Sequence, residues 1–331
     1  GPEHNALEQE LADYVGVKHA VNVANGTDAL QLGLAALGVS AGDLVVTVAN
    51  AGGYTSIASR LLGAVPAYCD VDARTHLMSA ETLEVCLTEL SKKPAAIVVT
   101  HLYGALAPVA EIKKIAEQHG IPLLEDCAQS LGAATAGKRG GSLADIATTS
   151  FYPTKNLGAV GDAGAVFTND DRLAHNVKTM RQYGWNGKYN MESTGGQNSR
   201  LDEVQAAVLR VKLPLLDSWN QRRRDIHSRY EAASSGSVVF VNTSQESFVG
   251  HLAVVTSPDR SLLQVKLAKS GIKTEIHYPI PDHQQSLLAP YERATDLSVT
   301  ERLATEIFSL PLFPELTDSE VDRICAALSE L

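Results

Sequence analysis

Short apolar segments alternate with amphipathic segments through the first half of the chain, and this alternation constrains the fold more than any other feature. The run Ala95–Thr100 (AAIVVT) is apolar throughout, which is typical of a strand buried on both faces of a parallel sheet. A strand predicted at His19–Ala24 is followed by leucines at helical spacing over Thr27–Leu37, and then by a strand at Leu44–Ala49. This repeated pattern predicts an α/β fold in which helices cover both faces of a parallel or mixed sheet.

The second half of the chain shows a more compact version of this pattern. Two strands, Asp145–Tyr152 and Ala163–Thr168, lie close together, and a long helical stretch that Pro214 kinks begins near Leu201. After roughly residue 235, short strands and helices alternate over smaller spacings. The chain has 331 residues, more than one average domain. We therefore predict a large α/β domain at residues 1–215 and a smaller α+β domain at residues 216–331.

Charge and composition exclude several classes of partner. The chain has 28 basic and 38 acidic residues, a net charge of −10, and such an acidic chain is a poor binder of nucleic acid or anionic lipid. Its basic run, Arg222–Arg224, is interpreted as the exposed face of a long helix rather than as a ligand site. No apolar run is long enough to span a membrane, no signal peptide is recognisable, and the four cysteines form no metal-binding pattern. These features predict a cytoplasmic protein with reduced thiols.

The segment Asn25–Leu30 (NGTDAL) forms a junction between a strand and a helix. A helix N-terminus offers unpaired N–H groups and the positive end of the helix dipole, and Gly26 lets an anion approach the backbone. Thr27 adds a hydroxyl, which serves equally well as the N-cap of the helix. The local sequence therefore indicates either a phosphate site or an ordinary helix cap. It contains neither the dinucleotide-binding glycine pattern nor the GxxxxGK[ST] phosphate loop.

Acidic residues arrive at the C-terminal end of the strand predicted at Ile121–Glu125. Ligands bind at this end of the strands in open α/β sheets. A carboxylate placed there, at Asp126, carries a charge in a partly dry site, and a cation or a strong donor has to balance it. A protonated pyridine nitrogen is one such cation. The alternative interpretation is that Asp126 caps the following helix.

Lys155 lies in a glycine-rich loop that follows a strand and Pro153. A lysine amine forms a Schiff base readily when desolvation or a nearby cation lowers its pKa. Composition alone favours a solvated loop lysine, so the local sequence leaves both interpretations open.

Together these segments resemble the DegT/DnrJ-type sugar-nucleotide aminotransferases, a branch of the fold-type I enzymes that use pyridoxal 5′-phosphate (PLP). The resemblance extends over nearly the whole chain. It rests on the segments GTDAL, HLYG (101–104), EDCAQSLGA (125–133), FYPTKNLGAVGDAGAV, RQYGW (181–185), NSRLDEVQAAVL (198–209) and IHYPIPDHQQ (276–285). It implies a three-layer α/β fold with a mostly parallel central sheet and a smaller C-terminal α+β domain, and a homodimer with shared active sites.

The resemblance also implies roles for individual residues. Lys155 would hold PLP as a Schiff base, and Asp126 would pair with the pyridinium nitrogen so that the ring acts as an electron sink. The other implied cofactor contacts are Gln129 beside the ring, Gly26, Thr27 and Ser150 at the phosphate, and Asn198 reaching the phosphate from the neighbouring subunit. Segments that border the nucleotide-sugar pocket in this family contain Tyr183, His277 and Tyr278. An aromatic residue usually stacks on the PLP ring from the loop after the second strand, and Tyr54 is the one available there.

The implied reaction is transfer of an amino group from an amino acid, most often L-glutamate, to a nucleotide-linked keto-sugar through pyridoxamine 5′-phosphate (PMP). The segments FYPTKNLGAVGD and NSRLDEVQAAVL resemble the branch that acts on 3-keto rather than 4-keto sugars. Two alternatives keep the fold: a sugar dehydratase, in which histidine replaces the lysine found here as Lys155, and a PLP-binding regulatory protein without turnover. A third alternative is an amino-acid transaminase. That reaction needs an arginine in the small domain for the substrate carboxylate, and Arg260 and Arg293 are candidates.

Overall fold

The computed structural model describes all residues from Gly1 to Leu331. The helices are α1 (Pro2–Val15), α2 (Gly26–Ala36), α3 (Tyr54–Leu61), α4 (Ala80–Glu89), α5 (Val109–His119), α6 (Asp171–Met180), α7 (Glu203–Lys212), α8 (Leu216–Ala233), α9 (Arg260–Lys269), α10 (Ser298–Glu306) and α11 (Asp318–Ser329). The strands are β1 (His19–Val23), β2 (Leu44–Val48), β3 (Val65–Cys69), β4 (Ala96–Thr100), β5 (Leu123–Asp126), β6 (Ala134–Thr135), β7 (Lys138–Arg139), β8 (Ile146–Ser150), β9 (Gly164–Thr168), β10 (Val239–Phe240), β11 (Ala253–Thr256), β12 (Glu292–Arg293) and β13 (Ile307–Leu310). Short 3₁₀ turns lie at Leu102–Gly104, Leu213–Leu215, Asp282–Gln284 and Ser286–Leu288. None of the helices combines the length and the apolar character that crossing a membrane requires.

The elements predicted for the first half of the chain are confirmed to within two residues at their ends, and local signals explain why. Ser79 caps α4 by accepting a hydrogen bond from Thr82 N–H, while Thr82 Oγ1 accepts one from Ser79 N–H. This reciprocal pair is a capping box. Pro108 precedes α5, and Gly120 ends it in a left-handed conformation. Pro214 lies in the 3₁₀ turn between α7 and α8, so the predicted kink is a break between two helices.

Eight strands form a central sheet in the order β1-β9-β8-β5-β4-β2-β3-β12. Neighbouring strands from β8 to β12 in this order pair in parallel, whereas β9 is antiparallel to both of its neighbours. The prediction of a mostly parallel central sheet is confirmed. The register aligns Thr100 with Asp126 and Asp126 with Thr148. The carboxyl ends of β4, β5 and β8 therefore meet at one edge of the sheet.

Both faces of this sheet are buried, because successive residues of one strand belong to different cores. Val46 and Ile97 pack in one hydrophobic cluster with residues of α4 and α5. Val45 and Val98 pack in a second cluster with the apolar face of α2. Complete burial of one such side chain stabilises the fold by about 1.5–3 kcal/mol. The sheet is thus the middle layer of a helix–sheet–helix arrangement, the three-layer fold that the sequence resemblance implies.

A second sheet lies in the C-terminal part of the chain. Its strands are antiparallel in the order β10-β11-β13, and Phe308 of β13 shares a core with Tyr230 of α8, Leu267 of α9 and Val321 of α11. This sheet and its helices have the α+β character that the sequence predicts for the smaller domain. The short strand β12 instead joins the edge of the central sheet beside β3. The domain boundary near residue 215 stays a prediction.

Candidate active site

A cleft of about 1070 Å³ opens at the carboxyl edge of the central sheet. Most of the site residues predicted from the sequence line this cleft: Gly26, Thr27, Tyr54, Asp126, Gln129, Ser150, Lys155, His277 and Tyr278. They come from distant segments of the chain, so it is the fold that brings them together. Tyr183 and Asn198, which the resemblance also implies, do not line the cleft of the single chain.

The N-terminus of α2 approaches the end of β8 closely because Gly26 has no side chain. A Cβ atom on Gly26 would lie 2.6 Å from Cβ of Ser150. Asn25 caps the helix, since its side-chain oxygen accepts a hydrogen bond from Asp28 N–H at 2.8 Å. The interpretation of Thr27 as the N-cap is therefore wrong, and Thr27 lies in the first turn, where backbone N–H groups lack intrahelical partners. The start of α2 and the Ser150 hydroxyl form a site suited to an anion such as phosphate.

Asp126 ends β5 with its side chain buried (6% exposed). Its carboxylate accepts a single hydrogen bond, from Ala128 N–H at 3.1 Å. Burial raises the pKa of Asp126, and Ala128 N–H and the nearby Lys155 oppose this rise. Turns rather than a helix follow β5, so the interpretation of Asp126 as a helix cap is wrong. A buried carboxylate with one neutral donor can still receive a cation.

Lys155 lies in the loop between β8 and β9, and backbone hydrogen bonds hold this loop in one shape. Lys155 N–H donates to the Tyr152 carbonyl at 2.8 Å, and Ala159 N–H donates to the Phe151 carbonyl at 2.8 Å. Burial lowers the pKa of Lys155, and Asp126 opposes this. Lys155 is half-buried in the cleft, so its amine is less solvated than that of the surface lysine that composition alone favours. A desolvated amine of lowered pKa is the form that attacks a carbonyl carbon.

Gln129 and Tyr278 form one wall of the cleft. Gln129 Oε1 accepts a hydrogen bond from Tyr103 N–H at 2.6 Å, and its Nε2 donates to the Tyr278 hydroxyl at 3.2 Å. The Tyr278 ring packs against Gly52, where an added Cβ would meet ring carbons at 2.9–3.1 Å. Tyr54 is 47% exposed and makes an edge contact with the Tyr278 ring, with 6.4 Å between ring centroids. Tyr278 is thus the aromatic side chain packed over the loop after β2, and Tyr54 lies beside it on the exposed side.

His277 is fixed through both its backbone and its ring. Its carbonyl accepts a hydrogen bond from the Tyr103 hydroxyl at 2.9 Å, and its Nδ1 lies 2.9 Å from Ser309 Oγ. Burial lowers the pKa of His277, with Glu275 opposing. A neutral imidazole at this wall of the cleft can donate or accept a hydrogen bond without adding charge.

Asn156 and His251 also line the cleft, and neither is among the site residues predicted from the sequence. Asn156 Nδ2 donates to Asn220 Oδ1 at 2.8 Å and to the Val249 carbonyl at 3.1 Å, and its Oδ1 lies 2.9 Å from His251 Nδ1. Because an amide oxygen can only accept, His251 Nδ1 is the donor and its Nε2 is left as an acceptor. No local pattern marks these residues, since the partners of Asn156 lie 64 to 95 residues away in the sequence.

Residues Arg222–Arg224 do not form one exposed face, and the sequence prediction is corrected here. Arg222 forms an ion pair at the surface, whereas Arg223 is 7% exposed and lines the cleft. Arg260 donates to backbone carbonyl groups and Arg293 forms surface ion pairs. Neither Arg260 nor Arg293 lines the cleft, so neither is placed to bind the carboxylate of a substrate there.

Tyr183 and Asn198 lie at the surface in the segment between α6 and α7. The Arg200 guanidinium lies 5.6 Å from the centroid of the Tyr183 ring, and its Nε donates to Asn198 Oδ1 at 3.1 Å. Within one chain the structure does not bring these residues to the other predicted cofactor and substrate contacts. The role of Asn198 across a subunit interface stays a prediction.

Three buried side chains next to the cleft, His101, Glu125 and Cys127, are close enough together to hold a metal ion. The carboxylate of Glu125 is already engaged, because it accepts hydrogen bonds from His101 Nε2 at 2.9 Å and from backbone N–H groups in the segment 141–144. His101 Nδ1 accepts one from Ala107 N–H at 3.0 Å. These bonds join the ends of β4 and β5 to the loop before β8, which is a structural role.

The residues of the cleft match the polar parts of PLP. The start of α2 and Ser150 offer donors for a phosphate, Asp126 offers an acceptor for a protonated ring nitrogen, and Lys155 offers a nucleophile for an aldehyde. The close approach at Gly26, which a side chain there would prevent, is the observation that supports the phosphate site. Together, the fold and these residues define a PLP-dependent enzyme of fold type I.

Comparison with known proteins gives the family. The model of the DegT/DnrJ/EryC1/StrS aminotransferase family matches residues 1–329, and the chain belongs to this family. It is 39% identical to the UDP-2-acetamido-2-deoxy-3-oxo-D-glucuronate aminotransferase of Pseudomonas aeruginosa, over 99% of this chain and 90% of that protein. It is 41% identical to the dTDP-3-amino-3,4,6-trideoxy-alpha-D-glucose transaminase of Micromonospora megalomicea, over 98% of this chain and 88% of that protein.

A solved structure extends the comparison to the cofactor. The crystal structure of NtdA from Bacillus subtilis, with its bound cofactor PMP, is similar with a TM-score of 0.92 at 30% identity. The match covers 99% of this chain and 76% of that one. The protein is a PLP-dependent aminotransferase of fold type I.

Proposed function

We propose that the protein transfers the amino group of L-glutamate to the 3-keto carbon of a nucleotide-linked sugar. The names of two relatives support the substrate, since one acts on a UDP-linked 3-oxo sugar and the other forms a dTDP-linked 3-amino sugar. The observation that carries the proposal is the extent of the cleft. At about 1070 Å³ it reaches from Lys155 to α8 and to the segment 312–315, and this leaves room for a nucleotide sugar beside the cofactor.

PLP, when bound, supplies a conjugated ring that takes up electrons and carries the amino group from the donor to the acceptor. Lys155 Nζ is the point of attachment of the cofactor and, once free, the base that removes the proton from the α-carbon of glutamate. Burial favours this role, because it lowers the pKa of Lys155 and so raises the fraction of neutral amine. The same Nζ would then donate that proton to the carbon that carries the amino group after the transfer.

Asp126 would hold a proton on the ring nitrogen of bound PLP. The interaction is strong because the carboxylate is buried and little screened by water. Gly26, Thr27 and Ser150 would bind the phosphate, and Gln129 would lie beside the ring. Tyr278, with Tyr54 at its edge, would cover one side of the ring. His277 and Tyr278 border the sugar.

The active unit is proposed to be a homodimer in which each subunit completes the site of the other. Asn198 would reach the phosphate of the neighbouring subunit. Its exposed position outside the cleft of its own chain is consistent with this role, and a two-fold interface makes the exchange reciprocal.

The test of the substrate is a panel assay. Holoenzyme is incubated with L-glutamate and with nucleotide-linked 3-keto and 4-keto hexoses, and both 2-oxoglutarate release and the mass of the sugar product are measured. We expect amination of 3-keto sugars, and none with the Lys155→Ala variant. Amination confined to 4-keto sugars or to free oxo acids would overturn the proposed substrate, and loss of water from the sugar in place of amination would indicate a dehydratase.

A further inference from the structure

Arg223 is a buried arginine whose charge has no partner in the protein. It lies in the second turn of α8 and is 7% exposed. Its Nε and Nη1 atoms are buried and make no hydrogen bond. The two neighbouring arginines differ, because Arg222 donates to Asp318 at 2.9 Å and Arg224 donates to Gln221 at 2.7 Å.

A guanidinium in this position destabilises the ligand-free protein. Burial lowers the pKa of Arg223 to about 10, and Glu315 has a smaller, opposing effect without forming an ion pair. A buried ion is tolerated when an opposite charge or several hydrogen bonds compensate for the water it has lost. The chain itself supplies neither. Because Arg223 lines an open cleft, a ligand that enters the cleft can supply the compensating group.

Arg223 packs against a segment that also holds the lysine loop. An added Cβ at Gly250 would lie 2.9 Å from Cβ of Arg223, and the carbonyl of the preceding Val249 accepts a hydrogen bond from Asn156 at 3.1 Å. Burial holds the pKa of His251 well below its usual range, and the charges of Lys155 and Arg223 both act in the same direction. His251 in turn donates to Asn156, the residue that follows Lys155. The segment 249–251 therefore contacts both Arg223 and the lysine loop.

We propose that Arg223 binds an anionic group of a substrate. The planar fork of a guanidinium matches two oxygens of a carboxylate or a phosphate. The choice of ligands rests on the proposed function, which brings two such groups into the cleft: a carboxylate of the amino-acid donor and the diphosphate of the nucleotide sugar. The proximity to the lysine loop favours the donor, because its α-carboxylate is one bond away from the carbon at which the amino group is exchanged.

The test measures anion binding and does not depend on turnover. PLP-loaded enzyme is titrated in a calorimeter with glutarate, which has two carboxylates and no amino group, and separately with inorganic pyrophosphate. Arg223→Met removes the charge and keeps most of the aliphatic stem, and Arg222→Met is the matched control one position away. We expect Arg223→Met to weaken the binding of at least one anion by about tenfold or more, and the control to keep the wild-type affinity. A loss for glutarate identifies the donor carboxylate, and a loss for pyrophosphate identifies the diphosphate.

The melting temperature of the holoenzyme without added anion separates a ligand site from a structural arginine. Removal of an unpaired buried charge should leave this temperature unchanged or raise it, whereas removal of an arginine that supports the fold should lower it. Where the methionine variant fails to fold, Arg223→Lys gives the same comparison, because lysine keeps the charge and lacks the fork. Failure of both anions to bind the wild type, or equal affinities for both anions in the wild type and the Arg223 variants, would overturn the proposal.

The anion site and the proposed function can fail separately. Holoenzyme that binds glutarate or pyrophosphate through Arg223 and aminates no keto-sugar would contradict the proposed function and leave the anion site in place. If the Arg223→Met holoenzyme aminates a 3-keto sugar with full activity, this result would contradict the anion site and leave the proposed function in place.

Discussion

Replacing Asp126 by asparagine isolates the contribution of one negative charge. The two side chains have nearly the same shape, and an amide oxygen can keep the hydrogen bond that Asp126 accepts from Ala128 N–H at 3.1 Å. The volume of the cleft should therefore be unchanged. What disappears is the partner that keeps the ring nitrogen of the cofactor protonated, since a neutral amide cannot do so.

The expected magnitude follows from the burial of this carboxylate. Asp126 is 6% exposed and has a single hydrogen bond within the chain, so little solvent or protein can replace the lost interaction. Loss of one partner from a buried ion pair costs about 3–5 kcal/mol. At about 1.4 kcal/mol for each factor of ten, kcat should fall roughly 100- to 4,000-fold.

The assay follows the half-reaction with L-glutamate by the absorbance of the cofactor, after the PLP content of each variant has been measured. Asp13→Asn, at an exposed position of α1, is the matched control and should react at the wild-type rate. Reconstitution of Asp126→Asn with PLP methylated on the ring nitrogen, which carries a permanent positive charge, should restore much of the rate. A near wild-type rate for Asp126→Asn, or a slow variant that the methylated cofactor does not accelerate, would refute the electrostatic role.

The remaining predictions concern Lys155, Asn198 and Asp282. Borohydride reduction and peptide mapping should find the phosphopyridoxyl group on Lys155, and a label on another lysine would show that the assignment is wrong. Joint refolding of an inactive Lys155→Ala chain with a chain disabled at Asn198 and a neighbouring contact should restore about a quarter of all sites, because half of the dimers are mixed and each has one intact site. Mixed dimers without activity would place Asn198 in the site of its own subunit. Burial raises the pKa of Asp282 to about 7, so the folded chain keeps a proton that the unfolded chain releases near pH 4, and stability should fall as the pH rises from about 4 to 7. Asp282→Asn should remove this dependence, on the order of 4 kcal/mol, and an unchanged pH profile in denaturant titrations would contradict it.

The residues at the centre of the site are predictable from the sequence because they lie at the ends of strongly patterned elements. Asp126 ends one strand, Ser150 ends the neighbouring strand, and Gly26 begins the helix after the first strand. Once the alternation of strands and helices predicts a parallel sheet, the carboxyl ends of its strands are expected to meet at one edge. The cofactor itself required the family resemblance, because a buried carboxylate and a loop lysine suit other ligands as well.

Local sequence patterns do not show which of two or three chemically similar neighbouring residues takes a given structural role. Asn25 and Thr27 are both good caps, and the choice depends on where the chain leaves β1. The residues Arg222–Arg224 are chemically identical, but successive side chains of a helix point about 100° apart, so tertiary packing alone decides which one faces the cleft. At Gly250 an added Cβ would lie 2.9 Å from Cβ of Arg223, and this close approach places the middle arginine inside.

The position of Lys155 depends on contacts from distant parts of the chain. Asn156, next to Lys155, binds Asn220 of α8 at 2.8 Å and the Val249 carbonyl at 3.1 Å. Asn220 also donates to the Leu131 carbonyl at 3.1 Å, so it joins the lysine loop to the turn that follows β5. Helix α8 therefore holds together two loops of the central sheet. A displacement of that helix would move Asn156, and with it Lys155, which is why residues that orient the lysine lie outside the glycine-rich motif that contains it.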